Sequence, residues 1–171
     1  MKNKNGFTYI EFILYIAIVV ILLNALVPFA WTIINNSARS ATQEEVSSAG
    51  RYVSERIKYE IRNAQDLNAG ASSFGVNLGT LSLAETISGN NPTIIAVSGG
   101  KVTIKKGAAA AVNINSTDTT VTNLVFTNNT SADISTKNIS YTLTIQSSYA
   151  GAREDYIETI TINSAGEIRS N

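Results

Sequence analysis

The apolar residues follow three different rhythms along the chain. From Phe12 to Ile34 they run without a charge and without a polar face, broken mainly by Asn24. A helix needs about 20 residues to cross the ~30 Å hydrocarbon core of a bilayer, and a surface helix of a soluble domain would show a polar side. The stretch therefore predicts a membrane-spanning helix over 12–34, with Trp31 near its far end, where an interfacial aromatic belongs. Between residues 39 and 66 ten charges enter, and apolar or small residues recur at Val46, Gly50, Val53, Ile57, Ile61 and Ala64. Steps of three and four mark one helical face. An amphipathic continuation is predicted over 38–66, that face packed on a sheet and the charges, Glu60 included, turned to water. Glu55/Lys58 and Arg56/Glu60 read as exposed helical neighbours that add little stability. A helix nearly continuous from Phe7 to Gln65 would span on the order of 90 Å, with Asn68 and Gly70 as stop signals.

From residue 67 the rhythm shortens to two and the composition turns to Ser, Thr, Asn, Gly and β-branched residues. Leu81 and Leu83 flank Ser82. Ile94–Val97, then Ser98-Gly99-Gly100, then Lys101–Ile104 read as a hairpin. Val121–Phe126 is a further strand. Ile139, Tyr141, Leu143 and Ile145 alternate with polar residues, as a half-buried strand requires. Tyr156–Ile162 follows the loop Ser147–Arg153, and Ser164-Ala165-Gly166 leads to a last short strand near Ile168. Ala108–Ala111 reads as a loop edge. The predicted class is α+β: a long N-terminal α-helix packed on a C-terminal antiparallel β-sheet head, 67–171.

Composition narrows the chemistry. The 171 residues hold no Cys and no His, and 13 basic residues balance 13 acidic ones. There is then no disulfide framework, thiolate nucleophile or Cys-ligated metal, and the commonest general base is missing. Zero net charge counts against nucleic acid as a partner without removing it. Lys101, Lys105 and Lys106 cluster on the presumed hairpin, and are read as a solvated edge that discourages sheet aggregation, with contact to DNA or a partner as the alternative. Glu154, Asp155 and Glu158 match no calcium-loop spacing and read as a solvated loop. No catalytic residue, metal ligand or cofactor is assigned.

Chemistry concentrates at the start. Lys2 and Lys4 precede the apolar run, which favours a cytoplasmic N-terminus and an extracytoplasmic head. A secretory signal peptide is a poorer fit, because its apolar core is only ~7–15 residues and ends at a small-residue cleavage site. Gly6 precedes Phe7-Thr8-Tyr9-Ile10-Glu11, and the run begins at Phe12. Gly6, lacking Cβ, lets the backbone extend and approach a peptidase closely; the plainer reading is a glycine in a loose leader. An ionised Glu11 costs a few kcal/mol in a bilayer and should have a partner; its plainer reading is a carboxylate tolerated at a helix N-terminus by the dipole. Pro28 removes a backbone donor, so the helix bends nearby or is tolerated unbent.

This opening resembles the type III signal sequence of the type IV pilin and type II secretion pseudopilin superfamily: a short basic leader ending in Gly, then Phe-Thr-hydrophobic-hydrophobic-Glu, then an unbroken hydrophobic stretch. The motif covers about the first 30 residues, and Pro28 lies where many members carry a helix-bending proline. Tyr9 departs mildly from the usual aliphatic. The missing Cys departs from major pilins with a disulfide-closed C-terminal loop and directs the reading to a minor pilin or pseudopilin. The resemblance implies a leader, 1–6, removed between Gly6 and Phe7 by a prepilin peptidase, N-methylation of Phe7, and pairing of Glu11 with the Phe7 amine of a neighbouring subunit. It implies a structural filament subunit, held in the cytoplasmic membrane by lipid before assembly with other pilin or pseudopilin subunits, and not an enzyme. The alternative is a single-pass protein with an uncleaved N-terminus that displays a binding or adhesin domain.

Overall fold

The computed structural model describes residues 6–131, 136–148 and 157–169. The chain divides into two compact units, Met1–Ser40 and Ala41–Asn171. One helix, α1 (Tyr9–Asn63), contributes to both. Its start is set by Thr8, whose hydroxyl accepts the Glu11 N–H at 3.4 Å in the manner of an N-cap. In the first unit every large apolar side chain from Phe7 to Ile34 is exposed. By length and composition this part of α1 is apolar enough to cross a membrane.

The second unit is α+β. Its helical part, the C-terminal end of α1, buries Val46, Gly50, Val53, Ile57 and Ile61, and Ala64 just beyond the helix is buried too. These are the six positions the three-and-four spacing selects. Two antiparallel meanders meet them. The first runs β1 (Asp66–Leu67), β2 (Leu81–Ala84), β3 (Thr93–Ser98), β4 (Lys101–Lys106) and β5 (Val112–Asn113), in that spatial order. The second runs β6 (Thr119–Asn128), β7 (Lys137–Ser147) and β8 (Thr159–Ile168). Main-chain bonds tie the two, among them Val121 N–H to Gly100 O at 2.9 Å and Gly79 N–H to Leu124 O at 2.8 Å.

Sequence rhythm explains most of the register. Ser98 pairs with Lys101, so Gly99-Gly100 forms a two-residue turn with φ of +57° and +72°. Both angles lie in the left-handed region that such hairpin turns require and that glycine enters freely. On β7, Ile139, Leu143 and Ile145 are fully buried and Tyr141 nearly so. Tyr141 is anchored at both ends: its ring lies in the core, and its hydroxyl donates to Ser54 O on α1 at 2.8 Å.

Four expectations change. The helix stops at Asn63, and Asp66–Leu67 joins a sheet instead, opposite Ala84 and Leu83. Ser82 is buried between its leucine neighbours, because the segment 68–72 folds over it: its N–H donates to Ser72 Oγ at 2.9 Å. Ser164-Ala165-Gly166 is no turn; β8 passes straight through it, paired to β7 throughout. Gly166 serves close approach, since a Cβ there would meet Ile61 Cγ2 of α1 at 2.9 Å. Lastly, β4 is only partly an edge: the two-residue β5 pairs with Thr103 and Ile104, and Lys105 and Lys106 lie beyond that pairing.

The Ile61 contact makes Gly166→Ala an overpacking change in a site with no room to relax. It is expected to cost roughly 1–3 kcal/mol in urea unfolding. Gly89→Ala, where a Cβ would meet nothing within 4 Å, should leave the midpoint within experimental scatter.

Candidate functional site

The residues singled out from the sequence fall in the first unit. Gly6, Phe7 and Thr8 precede α1 in non-helical backbone, and all three are exposed. A Cβ on Gly6 would meet nothing within 4 Å, so the Gly6–Phe7 peptide bond lies open. Phe7 is 69% exposed, its ring 5.4 Å from that of Tyr15. Glu11 is exposed in the first turn of α1, where the helix dipole favours a carboxylate. Thr8 and Glu11 stand at the spacing of a capping box, of which the Thr8 half is formed.

Pro28 lies within α1, which continues through it. Two side chains bond the backbone around it: Asn24 Nδ2 donates to Val20 O and Thr32 Oγ1 donates to Pro28 O, both at 2.9 Å. Gly6, Phe7 and Glu11 thus share one short stretch, and Pro28 stands well down the helix. Glu154 and Asp155 lie outside the described residues, as do Lys2 and Lys4.

Within the second unit the structure places a charged cluster that the sequence reading turned outward. Glu60 is 1% exposed. Arg56 Nη2 lies 2.8 Å from its Oε1, an ion-pair contact outside hydrogen-bond geometry, and Lys106 Nζ lies 2.8 Å from Oε2. The i,i+4 spacing of Arg56 and Glu60 was a visible signal. The partner that buries the carboxylate comes from β4, far along the chain. Arg56 also stacks 5.1 Å above the Tyr59 ring. A groove of 560 Å³ opens beside the cluster, lined by Tyr52, Arg56, Lys106 and Val112 among others. Lys101 is likewise engaged, donating to the carbonyls of Ser116, Thr117 and Thr119.

Two acids titrate in opposite senses. Asp66 is held below its ordinary range by the Lys137 ammonium at 2.7 Å and by the Leu67 N–H. Its contribution to stability is present above its unfolded pKa and lost as pH falls through the folded one. Glu85 is pushed up by burial, while Thr93 and Lys106 pull it down and the charge of Glu60 raises it further. Its Oε1 is buried without a hydrogen-bond partner.

No group of three or more His, Cys, Asp or Glu side chains able to hold a metal occurs among the described residues. No family model, curated protein or solved structure matches the chain.

The buried carboxylate is the costly member of its cluster, because both cations keep access to water. Lys106→Ala leaves Glu60 half-compensated and is expected to cost about 1–3 kcal/mol. Glu60→Leu removes the charge and should cost less, and adding it to Lys106→Ala should recover much of the loss in a double-mutant cycle.

For Glu85 the sign runs the other way from Asp66. Below its ordinary pKa of 4.5 folded and unfolded states both hold the proton, and no penalty exists. The penalty grows as pH rises toward the folded pKa and is complete above it. Glu85→Gln should therefore raise the urea midpoint at about pH 7 and leave it unchanged at about pH 3.

Proposed function

We propose that the chain is a structural subunit of a type IV pilus-like or type II secretion-like filament, in the manner of a minor pilin or pseudopilin. The observation that carries the reading is the arrangement at the start of α1. An exposed Gly6–Phe7 bond stands in non-helical backbone, one turn ahead of Glu11 and of an apolar helix surface left exposed among the described residues.

Each part has a physical task. Non-helical backbone suits a peptidase, which must draw the scissile bond into its own active site. Cleavage after Gly6 frees an amine on Phe7, which is then methylated. The amine carries positive charge four residues from Glu11. In a bundle of such helices the Glu11 carboxylate of one subunit pairs with the Phe7 amine of the next. That contact removes two charges from an apolar setting and fixes the axial register. The exposed apolar surface of α1 is solvated by lipid in the cytoplasmic membrane, with the head outside, and by neighbouring helices after assembly. On this reading the protein is not an enzyme and holds no cofactor.

N-terminal sequencing and mass spectrometry of the protein from native membranes test the reading. A chain that begins with N-methylated Phe7 is expected; an intact Met1 defeats it in favour of an uncleaved membrane anchor. Glu11→Ala should insert and be cleaved normally, yet enter filaments on the order of tenfold less, the equivalent of about 1.4 kcal/mol of lost pairing. Thr8→Val separates the two tasks of this turn. It loses the cap, at about 1 kcal/mol of helix-end stability, but keeps the carboxylate, so incorporation should hold.

A further inference from the structure

We propose that the Asn24 face of α1 is a self-association site, at which a second copy of this chain docks in the same orientation within the bilayer. The inference rests on the reading of 12–34 as a membrane span, and not on cleavage or filament assembly.

Asn24 sits at the middle of the uncharged run from Phe12 to Ile34. A carboxamide can donate two hydrogen bonds and accept two. Among the described residues it makes one, from Nδ2 to Val20 O. The second N–H and Oδ1 have no partner among the described residues. A third group lies beside them. Pro28 has no N–H, so the main-chain carbonyl of Asn24 loses its helical i+4 donor. Unspent donor and acceptor capacity therefore gathers at one depth, where lipid tails can satisfy none of it.

The surface around this point is shaped to receive a helix. Val20, Leu23, Asn24, Val27 and Pro28 line a shallow groove of 330 Å³, predominantly apolar with the carboxamide in it. A second copy is the occupant whose chemistry matches. Inserted in the same orientation, it brings its own Asn24 to the same depth without any adjustment. A carboxamide is self-complementary: the N–H of each copy donates to the Oδ1 of the other about a twofold axis. Glu11 lies 13 positions earlier, which at about 100° per residue turns it about 140° from the Asn24 face. The contact therefore leaves the Glu11 side of the helix open.

The chain has no native cysteine, so single cysteines report the contact cleanly. The full chain is reconstituted in phosphatidylcholine vesicles with Val20→Cys or Val27→Cys on the Asn24 face, or Leu22→Cys or Leu26→Cys opposite. Oxidative crosslinking is expected at the first pair and not at the second. Asn24→Leu, which keeps the helix apolar, should lower the crosslinked fraction at Val27→Cys at least about fivefold. Asn24→Gln should restore most of it. Equal yields at all four positions, no crosslinking at any, or a yield unchanged by Asn24→Leu would each overturn the proposal. Protease protection on the same vesicles separates the failures. A chain that does not span loses both the membrane reading and this one, whereas a spanning chain without face-specific crosslinks loses this one alone.

Discussion

The head is organised by how closely α1 lies against β8. A Cβ on Gly50 would come within 3.0 Å of Ile162 and 3.2 Å of Ile160, and one on Gly166 would strike Ile61. One glycine stands on the helix and the other on the strand, so each surface gives way to a bulky isoleucine of the other. Close packing at interior density is what lets a single stripe of Val46, Val53, Ile57 and Ile61 share one core with both meanders. The Tyr141 hydroxyl on Ser54 O depends on the same spacing, because a side chain of fixed length reaches the helix backbone only if the two surfaces stay together.

That closeness has an electrostatic consequence. Glu60 is adjacent in sequence to Ile61, on the side of the stripe turned toward β4, and the packing that buries Ile61 buries the carboxylate. Removing an ion from water costs several kcal/mol even after relaxation. The chain meets this with one cation from the same helix and one from β4. Lys106 therefore does more than solubilise a strand; it closes the polar gap between the first meander and α1. Glu85, whose carboxyl lies near Lys106 and feels Glu60, is only partly compensated: Thr93 and Lys106 do not offset its burial in full. One ammonium serves two acids there.

How much of this was legible follows from the range of each interaction. The six helix positions, the Gly99-Gly100 turn and the alternation of β7 were readable, because each is set by residues within a few positions of one another. Glu60 was not. Its i,i+4 neighbour Arg56 is equally consistent with a solvated helix face, and only the arrival of β4 distinguishes the two. Gly166 failed for a related reason: Ser-Ala-Gly is ordinary turn chemistry, and the isoleucine that demands a glycine there is more than a hundred residues away. Asp66 was drawn into the helix by the charge pattern, yet its strand pairing with Ala84 depends on a segment the pattern does not mention. At the start of the chain, the Thr8 cap is a local feature, legible in its three-residue spacing to Glu11.

The polar groups in apolar surroundings sort themselves by whether the chain completes them. Glu60 is buried, and two cations of the same chain reach it. Glu11 and Asn24 stand on a helix surface that is apolar for more than twenty residues, and among the described residues neither has its capacity filled. A folded chain can build a partner for any polar group near its sheets, as it does for Glu60, Lys101 and Asn115. It cannot do so for a group on an isolated helix, where only the residues one turn away are in reach. Thr8 and Val20 supply what that turn can supply. On the proposed reading the remaining demand falls to other molecules, which inside a bilayer must carry hydrogen-bonding or charged groups at a matching depth. A uniform apolar helix would be content with lipid. A carboxylate at its start and a carboxamide at its centre, on sides of the helix well apart, are the groups on which the two proposed contacts with other chains rest.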